Sequence, residues 1–397
     1  MNGGPFTLML LCAALTLPAE RLSAVCADVA DSTAEKLAEA GFLNVRAAST
    51  DEFRAYSVET DFYKLPVEGL GAVRDMIERS ADGDMRPVKI VATMYDVPEV
   101  TMTYDPSSGL WNTTKRLDSS WDALRGGKKL NGGFGKVNIL IYPQVSLMNL
   151  IINQVYQSLW QLSPALEVSL WPGMKFTYQI KFPIYNDGYG SLEDRIHPGM
   201  VSLSQRFRDP WNLNVFGKLT AGVFSGNCYG LALEMAYWFP NERFWVDTQL
   251  GLLANCYWEG FIFHYDRRPY FRWNIAANYY WPEQDTQFTL RAQRFLYGDY
   301  GLKYEMIRHF RRCSVGFYAE KSMNFDLNVG FRFQISLPPF RQKRYGYWPK
   351  ISTSGQMGMS YNANNERTAY KEFRTEASDN IAGRNFFNPY YIDSKLR

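Results

Sequence analysis

Asn328-Val329-Gly330-Phe331-Arg332-Phe333-Gln334-Ile335-Ser336-Leu337 is the stretch that decides the fold class. Val329, Phe331, Phe333, Ile335 and Leu337 alternate with Asn328, Gly330, Arg332, Gln334 and Ser336. Successive side chains of a strand point to opposite faces, so the alternation predicts a strand with one apolar and one polar face. The same period recurs upstream. Phe176, Tyr178, Ile180 and Phe182 alternate with Lys175, Thr177, Gln179 and Lys181. Tyr229, Leu231, Leu233, Met235 and Tyr237 alternate with Gly230, Ala232, Glu234, Ala236 and Trp238. Phe271, Trp273, Ile275 and Ala277 alternate with Arg272, Asn274, Ala276 and Asn278. Ile351 to Asn362 keeps the period, with Ser352, Ser354, Gln356 and Ser360 on one face. From Val137 to Tyr361 the pattern yields about 13 to 15 such segments, most of about 9 to 12 residues, the length of a tilted strand crossing a bilayer. The breaks are short: Trp171-Pro172-Gly173, Arg208-Asp209-Pro210-Trp211-Asn212, Pro240-Asn241-Glu242 and Pro282-Glu283-Gln284-Asp285.

Two solvents suit such strands, a second protein layer or lipid. Aromatic residues make up 16% of the chain, yet its mean hydropathy of −0.31 is that of a water-soluble protein. Sheets that face lipid on one side and water on the other reconcile the two. The polar face is mainly Gly, Ala, Ser, Thr, Asn and Gln with scattered charges of both signs, which suits a wet barrel wall. Trp171, Trp238-Phe239, Trp258, Tyr279-Tyr280-Trp281 and Tyr297 gather at strand ends, as aromatic girdles do at the two lipid–water interfaces. A long meander in lipid must close, because unpaired strand edges are too costly there.

The N-terminal part reads differently. Phe6 to Leu17 is an apolar run of signal-peptide length, with small residues before cleavage points at Ala24 and Ala27, although Met1-Asn2-Gly3-Gly4 lacks a basic residue. The expected division is a leader over residues 1–27 and a periplasmic α+β domain over 28–125. A flexible Gly-rich linker at 126–136, the barrel at 137–362 and a polar tail at 363–397 follow. In the α+β part, Ser32-Thr33-Ala34-Glu35 is a capping box and Gly41 a C-terminal cap. Strands are expected over Phe42–Ala47 and Glu52–Phe62, a helix over Val67–Ser80, and a strand from Val88 that Pro98 interrupts and Val100–Tyr104 continues. The linker misses the spacing of a phosphate-binding loop.

Composition excludes some functions. A net charge of +3 with no basic stripe gives no footprint for nucleic acid. The five cysteines have no CxxC spacing, so no zinc or redox centre is expected. No cofactor is expected either. Only His197, His264 and His309 could serve as a catalytic base, and none has a Ser or Asp at a recognisable spacing.

The candidate interior charges are Lys175, Lys181, Lys218, Glu234, Asp247, Arg272, Arg291, Lys303, Glu305, Glu320 and Arg332. Arg294, Asp299 and Arg308 are singled out because ionisable residues near membrane strands must be paired or wet. They fit either a sugar-contacting cluster or a turn-locking set, with Asp299 capping a hairpin.

From about Val137 to Arg344 the chain resembles the YjbH/GfcD family of exopolysaccharide- and capsule-associated outer-membrane barrels. Pro172-Gly173-Met174 leading to Phe182-Pro183-Ile184-Tyr185-Asn186-Asp187 carries the likeness, as do His197 to Gln205. The most specific stretch is Arg294-Phe295-Leu296-Tyr297-Gly298-Asp299-Tyr300-Gly301, with Arg308-His309-Phe310, Val315-Gly316-Phe317-Tyr318 and Ile335-Ser336-Leu337-Pro338-Pro339 after it. The resemblance implies export of polysaccharide across the outer membrane beside periplasmic and lipoprotein partners. The chain is shorter than the longer family members and ends without a terminal aromatic, which means either that the terminal strand departs from the family pattern or that Ala363 to Arg397 is a periplasmic tail. The expected fold is mainly β: an antiparallel transmembrane β-barrel of about 12–16 strands with a small N-terminal α+β periplasmic domain. A porin or nutrient-uptake barrel, a structural or adhesive barrel and an outer-membrane hydrolase are the competing readings.

Overall fold

The computed structural model describes residues 31–80, 84–149, 156–336, 342, 344–346, 348–354, 357–362, 370–377 and 387–396. The expected leader lies outside the described residues, as do Leu337 and most of the stretch between residues 363 and 386.

The chain first forms a small α+β unit. Helix α1 (Ser32–Ala40) begins one residue earlier than its capping box predicts, because Asp31 is the cap and accepts from Thr33 N at 2.8 Å. Gly41 closes it at φ 106°. Strands β1 (Leu43–Ser49) and β2 (Arg54–Glu59) pair antiparallel, and α2 (Pro66–Arg79) crosses over to β3 (Val88–Met94), which lies parallel to β2. A helix is the usual way to join parallel neighbours. Its apolar stripe of Val67, Leu70, Val73 and Ile77 is buried on the sheet. Tyr95 and Asp96, at φ 51° and 66°, turn the chain into β4 (Val97–Asp105). That two-residue turn interrupts the run, and Pro98, expected to break it, lies inside β4. Strand β5 (Leu110–Thr114) and helix α3 (Ser119–Arg125) complete the unit, in the sheet order β1-β2-β3-β4-β5.

The Gly-rich segment is pinned rather than free. Leu130 N donates to Val45 O at 3.0 Å, Asn131 brackets β1 through Val45 N and Phe42 O, and Lys129 pairs with Asp96 at 2.6 Å. Its glycines let the chain lie close along β1, and that backbone pairing replaces the expected hinge.

A second sheet of 15 strands follows. Its members are β6 (Val137–Asn149), β7 (Tyr156–Trp171), β8 (Met174–Asn186), β9 (His197–Arg208), β10 (Val215–Phe224), β11 (Cys228–Trp238), β12 (Phe244–Glu259) and β13 (Ile262–Tyr265). Then come β14 (Tyr270–Trp281), β15 (Thr286–Arg294), β16 (Tyr300–His309), β17 (Cys313–Ser322), β18 (Asn328–Ile335), β19 (Lys350–Thr353) and β20 (Met357–Asn362). Neighbours from β6 to β18 pair antiparallel in chain order, with β13 a short hairpin extension of β12. The β7–β8 turn needs Gly173, at φ 78°, where a Cβ would lie 2.2 Å from Arg206 O.

The end of the sheet departs from the all-antiparallel expectation. Strand β20 pairs antiparallel with β18, whereas β19 pairs parallel with β6, Lys350 to Thr353 opposite Asn138 to Ile141. The reason is parity. Twelve alternating strands, β6–β12 and β14–β18, return the chain to its starting end, so the next strand runs in the direction of β6. Strand β20 also comes within 8 Å of β6, Cα to Cα.

The α+β unit and the tail both meet the polar face of this sheet. The α+β unit sits over the short turns at one end. Gly173 N donates to Tyr95 O at 2.7 Å, Arg312 pairs with Glu68 at 2.8 Å, and Lys350 pairs with Asp61 at 2.7 Å. Trp238, Trp245 and Tyr280 join the unit's own apolar core. This corrects the girdle assignment for Trp238 and Tyr280: both are buried in the apolar cluster of the unit, while Trp171, Phe239, Trp281 and Tyr297 stay exposed. The polar tail is likewise not outside. Residues 370–377 run along the polar face, and helix α4 (Pro389–Leu396) packs on the α+β unit through Tyr391 and Ile392. No helix among the described residues is long and apolar enough to cross a membrane.

Candidate functional site: the charged interior face

Alternation and register together assemble the site. In β8, Lys175, Thr177 and Gln179 are buried while Phe182 is exposed. In β18, Asn328 and Gln334 are buried while Val329, Phe331 and Phe333 are exposed. The inward positions of successive strands therefore bring charges side by side. Lys218 on β10 lies opposite Glu234 on β11 and opposite Arg206 on β9. Lys303 on β16 lies between Arg291 on β15 and Glu320 on β17.

Two clusters result. In the first, the cations Lys175, Arg206 and Lys218 face the wall carboxylates Glu167 and Glu234. Lys175 Nζ is 3.6 Å from Glu167 Oε1, and Lys218 Nζ is 2.5 Å from Glu234 Oε2. In the second, Arg291, Lys303 and Arg332 face Glu305 and Glu320. Arg332 Nε is 3.4 Å and Arg291 Nη1 3.8 Å from Glu305, and Lys303 Nζ is 3.3 Å from Glu320. Each cluster thus sets three wall cations against two wall carboxylates; Glu99 of the α+β unit also lies 3.6 Å from Arg206, and the tail brings Glu372 and Glu376 together with the cations Lys371 and Arg374. Glu376 takes Lys218 at 2.8 Å, Arg206 at 3.0 Å and Lys175 at 3.6 Å. Glu372 takes Lys303 at 2.8 Å and accepts from Gln293 Nε2 at 2.9 Å. Buried charges need such pairing, because desolvation otherwise costs several kcal/mol per ion.

Arg272 is the exception. Its side chain is 1% exposed, and its Nε and Nη1 have no hydrogen-bond partner among the described residues. The guanidinium stacks over Tyr270, 5.1 Å from the ring centroid. It lines a cavity of about 300 Å³ between the wall, the tail and Lys115 of the α+β unit. Lys115 is itself buried, 3.5 Å from Glu99, and burial pulls its ammonium down to about 8. Asp247, on the same wall, accepts from Asn278 Nδ2 at 2.8 Å. Half-buried Lys181 lines a second cavity of about 330 Å³ toward the opposite end, with Gln161, Glu193 and His197.

Three candidates separate from this wall. Arg294 donates to Phe271 O at 3.0 Å and stacks on Tyr300, at the rim of the first cavity. Asp299 holds its hairpin to the next, accepting from Tyr300 N at 3.0 Å and Asn324 Nδ2 at 2.7 Å. Arg308 is exposed on the outer face over Phe310, because 308 has the outward parity of β16. Asp299 and Arg308 are therefore hairpin and outer-face residues and form no cluster with Arg294, which favours the turn-locking alternative.

Sequence reading missed Arg206, Glu167, Glu372 and Glu376. Arg206 could have been found, since Ser202, Ser204 and Arg206 alternate with Val201, Leu203 and Phe207. The tail glutamates have no periodic signal. The structure also brings His309 Nδ1 within 3.0 Å of Ser314 Oγ, a pair no spacing rule suggested. The imidazole lies against Tyr280 and Tyr391 and lines neither of these two cavities. No group of three or more His, Cys, Asp or Glu among the described residues could hold a metal ion. The three cysteines in strands are free thiols. Compared with known proteins, the chain matches no protein-family model, no curated protein and no solved structure.

Proposed function

We propose that this chain is an outer-membrane β-barrel that takes part in exporting exopolysaccharide or capsule, with its α+β unit on the periplasmic side. One observation carries the reading: the large sheet is apolar on one face and charged on the other. Leu219, Leu231, Leu252, Ile275, Leu290, Leu302 and Phe317 are each about half exposed, from 47% to 56%, and no described residue covers them. A water-soluble sheet buries such a face under a second layer, whereas hydrocarbon is a suitable solvent for it.

The pairings of β19 with β6 and of β20 with β18 support closure into a ring of 13 strands with one parallel seam. Bacterial single-chain barrels have even strand numbers, and an odd number is known from the mitochondrial outer membrane. Short turns at the end carrying the α+β unit suit the periplasmic side. A concave wall of amides, hydroxyls and mixed charges offers a sugar polymer many weak contacts. The α+β unit covers one end of the sheet and the tail runs along its polar face, which favours a controlled export path over a freely open porin.

In cells, the protein should fractionate with outer membranes and migrate faster on gels when unboiled, and its deletion should abolish surface polysaccharide while polymer accumulates inside. Recovery as a soluble periplasmic monomer would remove the barrel. Normal surface polysaccharide with impaired uptake of small solutes would replace export with the porin reading.

A further inference from the structure

We propose that tail residues 371–377 form a gate across the interior of the sheet, a partition that separates two cavities and must move aside for a polymer to pass. This rests on the export reading and adds how that passage is closed.

The two cavities lie on either side of the segment. The one of about 300 Å³ reaches toward the α+β unit, where Val97, Glu99 and Lys115 line it. The one of about 330 Å³ reaches toward the opposite end, where Tyr189, Glu193 and Asn227 line it. Lys371, Arg374 and Glu376 line both. Three side chains of one short segment facing both spaces make that segment the partition between them. With it withdrawn, the two cavities join into one passage from the unit to the far hairpins.

The path of the segment is a chord. Glu372 pairs with Lys303 on β16 at 2.8 Å, and Glu376 pairs with Lys175 on β8 at 3.6 Å. In the sheet order these strands are seven spacings apart. That is about 34 Å along the sheet at about 4.8 Å per spacing. Glu372 and Glu376 are four residues apart, at most about 14 Å of chain. A segment that short cannot follow the strands round. It spans the hollow between them, and side chains reach in from both sides to meet it. The sheet also makes room for it: a Cβ on Gly251 would lie 2.9 Å from the Phe373 ring, and one on Gly226 would lie 3.2 Å from Glu372 O.

The segment and helix α4 are held by different forces. At the hairpins the segment has single backbone hydrogen bonds, from Leu296 N to Lys371 O at 2.9 Å and from Ser225 N to Arg374 O at 3.2 Å. On the walls it has ion pairs, and its one ring, Phe373, packs on Phe224 and Leu253. Helix α4 is instead anchored in the apolar core of the α+β unit through Tyr391 and Ile392. Polar contacts can be exchanged one by one for water or for the hydroxyls of a sugar, whereas leaving an apolar core exposes its side chains to water. The segment can therefore leave the walls while α4 stays docked.

The test is ion conductance of the full chain in planar lipid bilayers. The native chain should be closed nearly all of the time. Replacing residues 371–376 with glycine and serine at equal length, with α4 kept, should give a steady open current. Glu372→Gln with Glu376→Gln should raise the open fraction at least about tenfold, the factor that one charge-assisted hydrogen bond supplies. In that double variant, with the native cysteines replaced, Ser225→Cys and Arg374→Cys add a lock. Arg374 N lies 2.8 Å from Ser225 Oγ, which brings the two residues within disulfide reach. Oxidation with diamide should shut the current and reduction with dithiothreitol should restore it, in one and the same folded protein.

A steady open current from the native chain overturns the proposal and needs no variant to fold. So does a glycine–serine variant that shows the heat-dependent gel shift and stays closed. A current indifferent to the cysteine bond, once mass spectrometry shows that the bond has formed, overturns it as well. If surface polysaccharide depends on the protein but the native chain is open, only this inference falls. If the oxidised pair shuts the current while deletion leaves surface polysaccharide unaffected, the export reading falls and the gate stands.

Discussion

Phe333 and Gln334 are neighbours in β18 with opposite surroundings, 38% and 9% exposed. If the convex face meets lipid, an arginine at Phe333 costs about 2–4 kcal/mol near mid-membrane. A change at Gln334, on the wet side, costs no more than the roughly 0.5–1.5 kcal/mol of an ordinary hydrogen bond. Phe333→Arg should therefore block assembly, seen as loss of the heat-dependent gel shift, and Gln334→Ser should assemble normally. Equal assembly of the two would mean that the faces are misassigned. Arg332 is a less direct inward control, because its loss leaves buried Glu305 with Arg291 at 3.8 Å as its remaining ion-paired arginine on the wall. At this scale the sequence was informative wherever parity alone decides. It placed Lys175, Glu234, Arg272 and Arg332 on one face from their strand positions. It left Asp299 between a sugar-contacting cluster and a hairpin cap, because a hairpin residue has no parity and its partner Asn324 comes from the next hairpin.

Strands longer than a soluble sheet needs were the elements most legible in the sequence, since each repeats its two-residue period several times. Helix α2 was legible for the same reason, through Leu70, Val73 and Ile77. The short β5 and α3 carry too few repeats to be seen, and the Tyr95-Asp96 turn uses positive φ without glycine. The parallel contact of β19 with β6 was out of reach, because register between strands some 200 residues apart leaves no local trace. That contact is open to test. Ile139 and Ile351 are partners in the seam. Cysteines at both should cross-link on oxidation in membranes, since neighbouring strands are about 4.8 Å apart and within disulfide reach. The pair 141 and 351, displaced along β6, should not cross-link. Efficient linkage of the displaced pair, or none in either, would leave β6 as an open edge.

For the whole molecule, the α+β unit, the large sheet and the tail form one interlocked body. Trp238 and Tyr280 of the sheet enter the core of the unit, and α4 of the tail packs on the same core. In the segment 370–377, Glu376 pairs with Lys218 and Glu372 with Lys303 of the sheet. The tail read as an exposed polar extension because its glutamates have partners only in the folded state, on strands distant in sequence. Protein therefore packs on the polar face of the sheet, and no described residue covers the apolar face. The central claim is that hydrocarbon covers that apolar face. Nitroxide labels placed singly from Asn328 to Ile335, in protein reconstituted into lipid with its native cysteines replaced, test it most directly. The account predicts oxygen accessibility that peaks at 329, 331, 333 and 335, with low accessibility there to a water-soluble nickel chelate. High nickel accessibility at those positions would put the convex face in water, and low accessibility to both probes would put it under another protein layer; either result contradicts the barrel.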